Sequence, residues 1–238
     1  MDQFHWTNLL NPEFYITLTI GGVQLGLAIV IFIVFAETGL FAGFFLPGDS
    51  LLFVSGIYAS GRFKDGTYIP GLIDQIYHID SAFLNVAILA AIVATAGIFG
   101  NMTGYWFGSK SGYYLYNRED SFWFKKKYLV QSHDFFEKHG GRAIVFSRFL
   151  PIFRTFAPIV AGIAEMDKKK FMFYNIISSV AWSFSLIFAG HYLYDFLLEK
   201  FDFDMKEHIE VIIIGLIALT MVPVALKFFK KAKPKIQP

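Results

Sequence analysis

The chain has 238 residues, of which 55% are hydrophobic and 19% aromatic, with 29 Phe and only 17% charged residues. A soluble domain of this size cannot hide so much apolar surface, so the composition excludes an ordinary soluble globule and points to an integral membrane protein. A net charge of +2 is too small to argue for nucleic acid, and the lack of cysteine excludes disulfides and thiolate chemistry.

Ahead of the first apolar run stand Asp2 and Glu13 but no Lys or Arg, and no small-residue cleavage site follows, so that run is expected to stay in the mature protein. In chain order, the runs 14–36, 82–107, 171–193 and 209–229 each approach or exceed the roughly 20 residues needed to cross a bilayer, which predicts four spanning helices. Two further runs, 41–57 and 143–164, are as apolar but broken, the first by Pro47, Gly48 and Asp49, the second by Arg148, Pro151, Arg154 and Pro158. A lipid-facing helix tolerates neither pattern well. Broken backbone at membrane depth is acceptable where it is buried in protein or lines a wet cavity. Both runs therefore read as re-entrant hairpins, with Pro47 and Gly48 turning the first and Pro151 marking the break in the second. Residues 121–139 mix aromatic side chains with Lys125, Lys126 and Lys127 and suit a helix lying on the inner leaflet. The expected architecture is an all-α membrane protein: one integral domain over 1–238, about four transmembrane helices and two opposed re-entrant hairpins.

Lys and Arg are distributed by side. Fifteen of the 21 lie in 108–142, 166–170 and 227–235, whereas 58–81 and 194–208 hold two each. The bias puts the first group and the C-terminus in the cytoplasm, with the N-terminus on the same side. The first hairpin then opens outward and the second inward.

The hairpins share a string, Phe45, Leu46, Pro47 and Phe149, Leu150, Pro151, each followed by an apolar run reaching Gly-Ile at 56 and 162. With opposite openings, this pattern fits an inverted repeat whose broken helices meet near the midplane. The flanking charges differ in sign: Glu37 and Asp49 bracket the first copy, Arg148 and Arg154 the second. Four isolated charges at that depth would cost on the order of 10 kcal/mol, so they are expected to face one another across a wet cavity. Structural ion pairing is the plainer alternative. Arginine suits a forked anion, because its planar guanidinium holds a phosphate through two parallel hydrogen bonds and stays charged when poorly solvated. The acids are candidates for proton exchange.

Gly100, Gly104, Gly108 and Gly112 recur every fourth residue in "GNMTGYWFGSKSG", leaving one helix face bare for close backbone approach. His133, Glu137 and His139 match no standard zinc spacing and read as a solvated face, so no metal is expected.

Four stretches, "ETGLFAGFFLPGDSLLFVSG", "GNMTGYWFGSKSG", "FSRFLPIFRTFAPIVAG" and "FMFYNIISSVAWSFSLIFAG", resemble the DedA family, also called SNARE-associated or VTT-domain membrane proteins. Ser178 and Ser179 depart from the Gly or Ala that many members carry there. The resemblance implies a bacterial inner-membrane, multi-pass protein with two opposed re-entrant hairpins. It maps the family's acidic pair onto Glu37 and Asp49 and its arginine pair onto Arg148 and Arg154. It further implies return of undecaprenyl phosphate across the membrane, with phospholipid scrambling in eukaryotic relatives.

The residues and the resemblance agree on a flippase for an anionic lipid, coupled to the proton-motive force. The partners are that lipid, protons and the bilayer, and a homo-oligomer is compatible with this reading. A proton-coupled exporter of cations or drugs, a phospholipid scramblase and a non-transporting scaffold are the alternatives. The exporter has no need of the arginine pair, and the scaffold needs no charges at depth. With no HExxH, cysteine nucleophile or GxSxG, an enzyme is disfavoured, and no cofactor is expected.

Overall fold

The computed structural model describes residues 12–40, 48–64, 66–117, 140–148 and 151–201, together with 134, 136, 138, 204, 205, 212 and 215. Pro47, the three residues His133, Glu137 and His139, and most of the expected helices over 121–139 and 209–229 lie outside these residues.

The described chain is mostly helical. Two helices, α4 (Ala82–Asn117) and α7 (Lys168–Phe201), are long and apolar enough to cross a membrane. Both outrun the expected spans 82–107 and 171–193, because the polar residues at their ends continue the helix beyond the apolar stretch. They pack antiparallel, as two contacts along their length and one just ahead of α7 show. Ser183 Oγ donates to the Ala90 carbonyl (2.9 Å), Asn101 Nδ2 to Asn175 Oδ1 (2.6 Å) and Tyr105 OH to the Met166 carbonyl (2.6 Å). Phe99, Trp106, Phe107, Phe173 and Ile177 stand exposed on their outer faces, as lipid-facing side chains would.

The run 14–36, expected as one spanning helix, is not continuous. It divides into α1 (Pro12–Ile16), a two-stranded ribbon of β1 (Thr19–Ile20) and β2 (Val23–Gln24), and α2 (Gly26–Gly39). Gly21 and Gly22, with φ of 60° and 83°, form the two-residue turn, a conformation glycine takes at little steric cost. A second ribbon, β3 (Arg62–Lys64) with β4 (Thr67–Ile69), lies ahead of α4 in the chain. The described chain remains mostly helical, consistent with the all-α membrane class, with these two short ribbons as its extended segments.

Of the first broken run, 41–57, the described part is α3 (Gly48–Ile57), and the arm before it is α2, which falls in the expected span 14–36 and not in the run itself. The outer ends of both arms meet the turn around Leu72–Gln75. Gln75 Oε1 accepts from the Leu27 N–H (3.0 Å), and the Leu72 N–H donates to the Tyr58 carbonyl (2.8 Å). Residues 14–36 therefore do not carry the chain from one end of the bundle to the other, and the Gly26 end shares the side of the 58–81 loop. Asp74 ties that loop together, accepting from the Gly71 N–H (2.6 Å), Tyr68 OH (2.8 Å) and His78 Nδ1 (2.9 Å). Burial opposes its charge, but these bonds outweigh burial and hold its pKa below the usual carboxylate range, while the bond to Asp74 raises that of His78.

The second broken run is α5 (Arg142–Arg148) followed by α6 (Pro151–Ile163), which begins at Pro151, a favoured first position. Its outer ends lie at the opposite end of the bundle, where Ile144, Ala161 and Ala164 cluster with Phe171 of α7.

Four glycines organise the crossings. A Cβ on Gly56 would strike the Ile187 carbonyl and one on Gly190 the Phe53 carbonyl, locking α3 to α7. Likewise a Cβ on Gly162 would strike the Tyr105 carbonyl and one on Gly108 the Ile159 carbonyl, locking α6 to α4. In each pair the struck carbonyl belongs to the residue three before the partner glycine. The second arm of each broken run thus packs on the long helix of the other half, in the same manner twice. Small residues that admit close backbone approach are the means by which helices pack where no hydrophobic drive operates.

Candidate functional site

The inner ends of the two broken runs meet. Glu37 is in the last turn of α2, Asp49 in the first turn of α3, Arg148 in the last turn of α5 and Arg154 in the first turn of α6. All four are at least partly buried, Glu37, Arg148 and Arg154 almost completely.

Arg154 bridges the acids. One guanidinium nitrogen donates to Glu37 Oε1 and another to Asp49 Oδ1, so a residue from the second run joins both carboxylates of the first. Removing one partner from so buried a pair typically costs about 3–5 kcal/mol. Gly48 makes the geometry feasible, because a Cβ there would overlap the Glu37 carboxylate.

Arg148 is placed differently. The residue is 2% exposed, and none of its three guanidinium nitrogens has a hydrogen-bond partner among the described residues. It lies against Gly97, where a Cβ would collide with it and would come within 3.9 Å of Ser179 Oγ. Trp182 joins the two halves of the cluster. Its indole N–H donates to Asp49 Oδ1 (2.8 Å), and the Arg148 and Arg154 guanidinium carbons lie 4.6 and 5.4 Å from its ring centroid. Cation–π attraction of this kind reaches about 2 kcal/mol when desolvated.

Beyond Arg148 a polar ladder runs between α4 and α7. Asn175 Oδ1 accepts from Ser179 Oγ (3.2 Å) and from Asn101 Nδ2 (2.6 Å), and Asn175 Nδ2 reaches the Ile98 carbonyl (3.1 Å). Gly100 lies against Thr38 and Phe35 of α2, Gly104 has Ile159 Cγ1 at 3.4 Å from its Cβ position, and Gly108 and Gly112 lie against Ile159 and Ile163 of α6. The structure thus gathers Glu37, Gly48, Asp49, Arg148 and Arg154 in one site, and the glycines serve the packing around it.

The VTT-domain family profile matches residues 12–192, a stretch containing every residue of this site. Protein DedA of Escherichia coli (strain K12) is 34% identical over 203 residues, covering 85% of this chain and 82% of the relative. The chain belongs to the DedA family of VTT-domain membrane proteins. Similar to this DedA-family chain are also an uncharacterized membrane protein of Mycobacterium tuberculosis (strain ATCC 25618 / H37Rv), 33% identical over 82% of the chain and 74% of the relative, and the inner membrane protein YqjA of Escherichia coli (strain K12). The latter is 28% identical over 68% of the chain and 64% of its own length. Comparison with solved structures gave no significant match.

Trp182, Asn175, Asn101 and Gly97 escaped the sequence reading. The signal was there for α7: Asn175, Ser178, Ser179, Trp182 and Ser183 recur at spacings of three and four, which puts one polar stripe on an otherwise apolar helix. Asn175, Ser178, Ser179 and Ser183 are all fully buried.

Proposed function

We propose that this DedA-family protein is a transporter that moves an anionic lipid, undecaprenyl phosphate, across the bacterial inner membrane. Each broken run acts as a re-entrant hairpin, the two entering from opposite sides, and the lysine-rich end faces the cytoplasm. The observation that carries the reading is the buried guanidinium of Arg148, which has no hydrogen-bond partner among the described residues, beside an Arg154 paired to both acids. A buried guanidinium that rests on the Trp182 ring but has no acceptor for its N–H groups among the described residues is costly in a purely structural role, and it is what a receptor for a phosphate requires.

The acids then have a defined task. While Glu37 and Asp49 are ionised they hold Arg154; protonation of either loosens that hold and frees its fork for the phosphate beside Arg148. Binding of the anion is thereby linked to proton uptake, and its release to proton loss. The lipid's hydrocarbon tail stays in the bilayer throughout.

The test is transport of labelled undecaprenyl phosphate in proteoliposomes with an imposed proton gradient, beside a zwitterionic phospholipid control. Wild type should move the anionic lipid faster when the gradient is applied. The double variant Glu37→Gln, Asp49→Asn should still bind it but lose the response to the gradient. Gradient-driven transport by that variant at the wild-type rate would remove the acids from the mechanism, and equal movement of the control lipid would replace selective transport with scrambling.

A further inference from the structure

Between α4 and α7, at the end where α7 begins, runs a groove of about 530 Å³. Its size falls within the roughly 300–1,000 Å³ typical of small-ligand sites. Phe99, Met102 and Met172 form apolar walls, and the buried Phe171 also lines it. The mouth is polar, with Ser109, Trp106 and Lys168. A groove of similar volume, about 590 Å³, lies between α2 and α4 and has no charged residue in its lining. Phe99 borders both.

The charge at the mouth is positive. Lys169 and Lys170 stand exposed next to Lys168, and Lys110 Nζ sits 4.4 Å above the Trp106 ring. Two acids, Glu165 and Asp167, are close by, and Asp167 Oδ1 already accepts from the Lys170 N–H (2.9 Å). Lys168 in the lining, Lys110 over Trp106 and the neighbouring Lys169 and Lys170 outnumber the two acids nearby, so the surroundings of this apolar cleft attract an anion, and tryptophan is a side chain favoured at membrane interfaces.

We propose that this groove docks an anionic lipid from the adjoining leaflet, with its phosphate on Lys168 and a hydrocarbon chain along Phe99, Met102 and Met172. Lys168 is eleven residues before Ser179 on α7, about 16 Å along the helix, so the phosphate of a lipid held here has roughly that distance to travel to Arg148. Its role as the loading site rests on the transport reading above; the docking itself does not.

The full-length protein is reconstituted in vesicles of phosphatidylglycerol or of phosphatidylcholine, each doped with an analogue of the same head group carrying a photoactivatable diazirine chain. Labelled residues are then mapped by mass spectrometry. The anionic probe should label the segments around Met102 and Met172 several-fold more than the zwitterionic one. Lys168→Gln should cut that labelling about fivefold, the effect of one basic residue near a membrane surface. Met172→Trp, which fills the cleft, should abolish it there while labelling around Phe32 persists. Equal labelling by both probes, or labelling indifferent to Lys168→Gln, overturns the proposal. A parallel measurement of undecaprenyl phosphate transport separates the two readings. Groove labelling without transport refutes transport and leaves docking standing, whereas transport without groove labelling refutes docking alone.

Discussion

Gly48 sets how closely the two acids can approach a single arginine. Its missing Cβ is the space the Glu37 carboxylate occupies, so Gly48→Ala forces that carboxylate off Arg154 or pushes α3 away from α2. Overpacking of this kind costs about 1–3 kcal/mol. We expect Gly48→Ala to reach the membrane with a lowered melting temperature in detergent and reduced transport, and Glu37→Asp, which retracts the carboxylate by one methylene, to restore part of both. A Gly48→Ala protein indistinguishable from wild type in both measurements would mean that Glu37 and Gly48 are not packed as described. The four charges were legible in the sequence because ionised groups inside apolar runs have few structural explanations. Trp182 and Asn175 were legible only as members of a polar stripe on an apolar helix, since a single indole or amide in a membrane helix is unremarkable until its neighbours are known. The uneven pairing of the arginines was hidden too: Arg148 and Arg154 flank the break alike in sequence, and only the fold gives both acids to Arg154.

At the scale of elements, the two glycine crossings make equivalent demands. Gly56→Val opposes α3 to α7 and Gly162→Val opposes α6 to α4, each driving a side chain into a helix backbone. Both should lower the melting temperature of the detergent-solubilised protein by similar amounts, whereas Gly66→Ala, at an open position with φ of 76°, should cost less. A crossing that tolerates valine without loss is not closely packed. Sequence periodicity found the stripe Gly100 to Gly112 because it repeats every fourth residue, yet it missed the reciprocal pairs, which lie on different helices. The division of 14–36 was missed for another reason. Its Gly21-Gly22 pair is a known hairpin signal, but apolar neighbours on both sides make the stretch read as one long span by hydropathy.

The whole molecule consists of two halves facing each other through charges of opposite sign, with the outer ends of α2 and α3 at one end of the bundle and those of α5 and α6 at the other. Because the chain lacks cysteine, single substitutions can read its sidedness with an impermeant thiol reagent in intact cells. Val23→Cys and Asp80→Cys should react together, since both lie at the end of the 58–81 loop, while Lys169→Cys should react only after permeabilisation. Val23→Cys behaving like Lys169→Cys would restore a spanning helix over 14–36.

The central claim is that Arg148 is a phosphate receptor left open by the pairing around it. Binding of undecaprenyl phosphate and of undecaprenol, which share a tail and differ in the phosphate, should be measured on the purified protein in nanodiscs, for wild type and for Arg148→Gln. Wild type should prefer the phosphate by tenfold or more, in line with the roughly 1.5–3 kcal/mol of a hydrogen bond to a charged group, and Arg148→Gln should lose most of that preference. Equal binding of the two lipids by wild type, or an undiminished preference in Arg148→Gln, would contradict it.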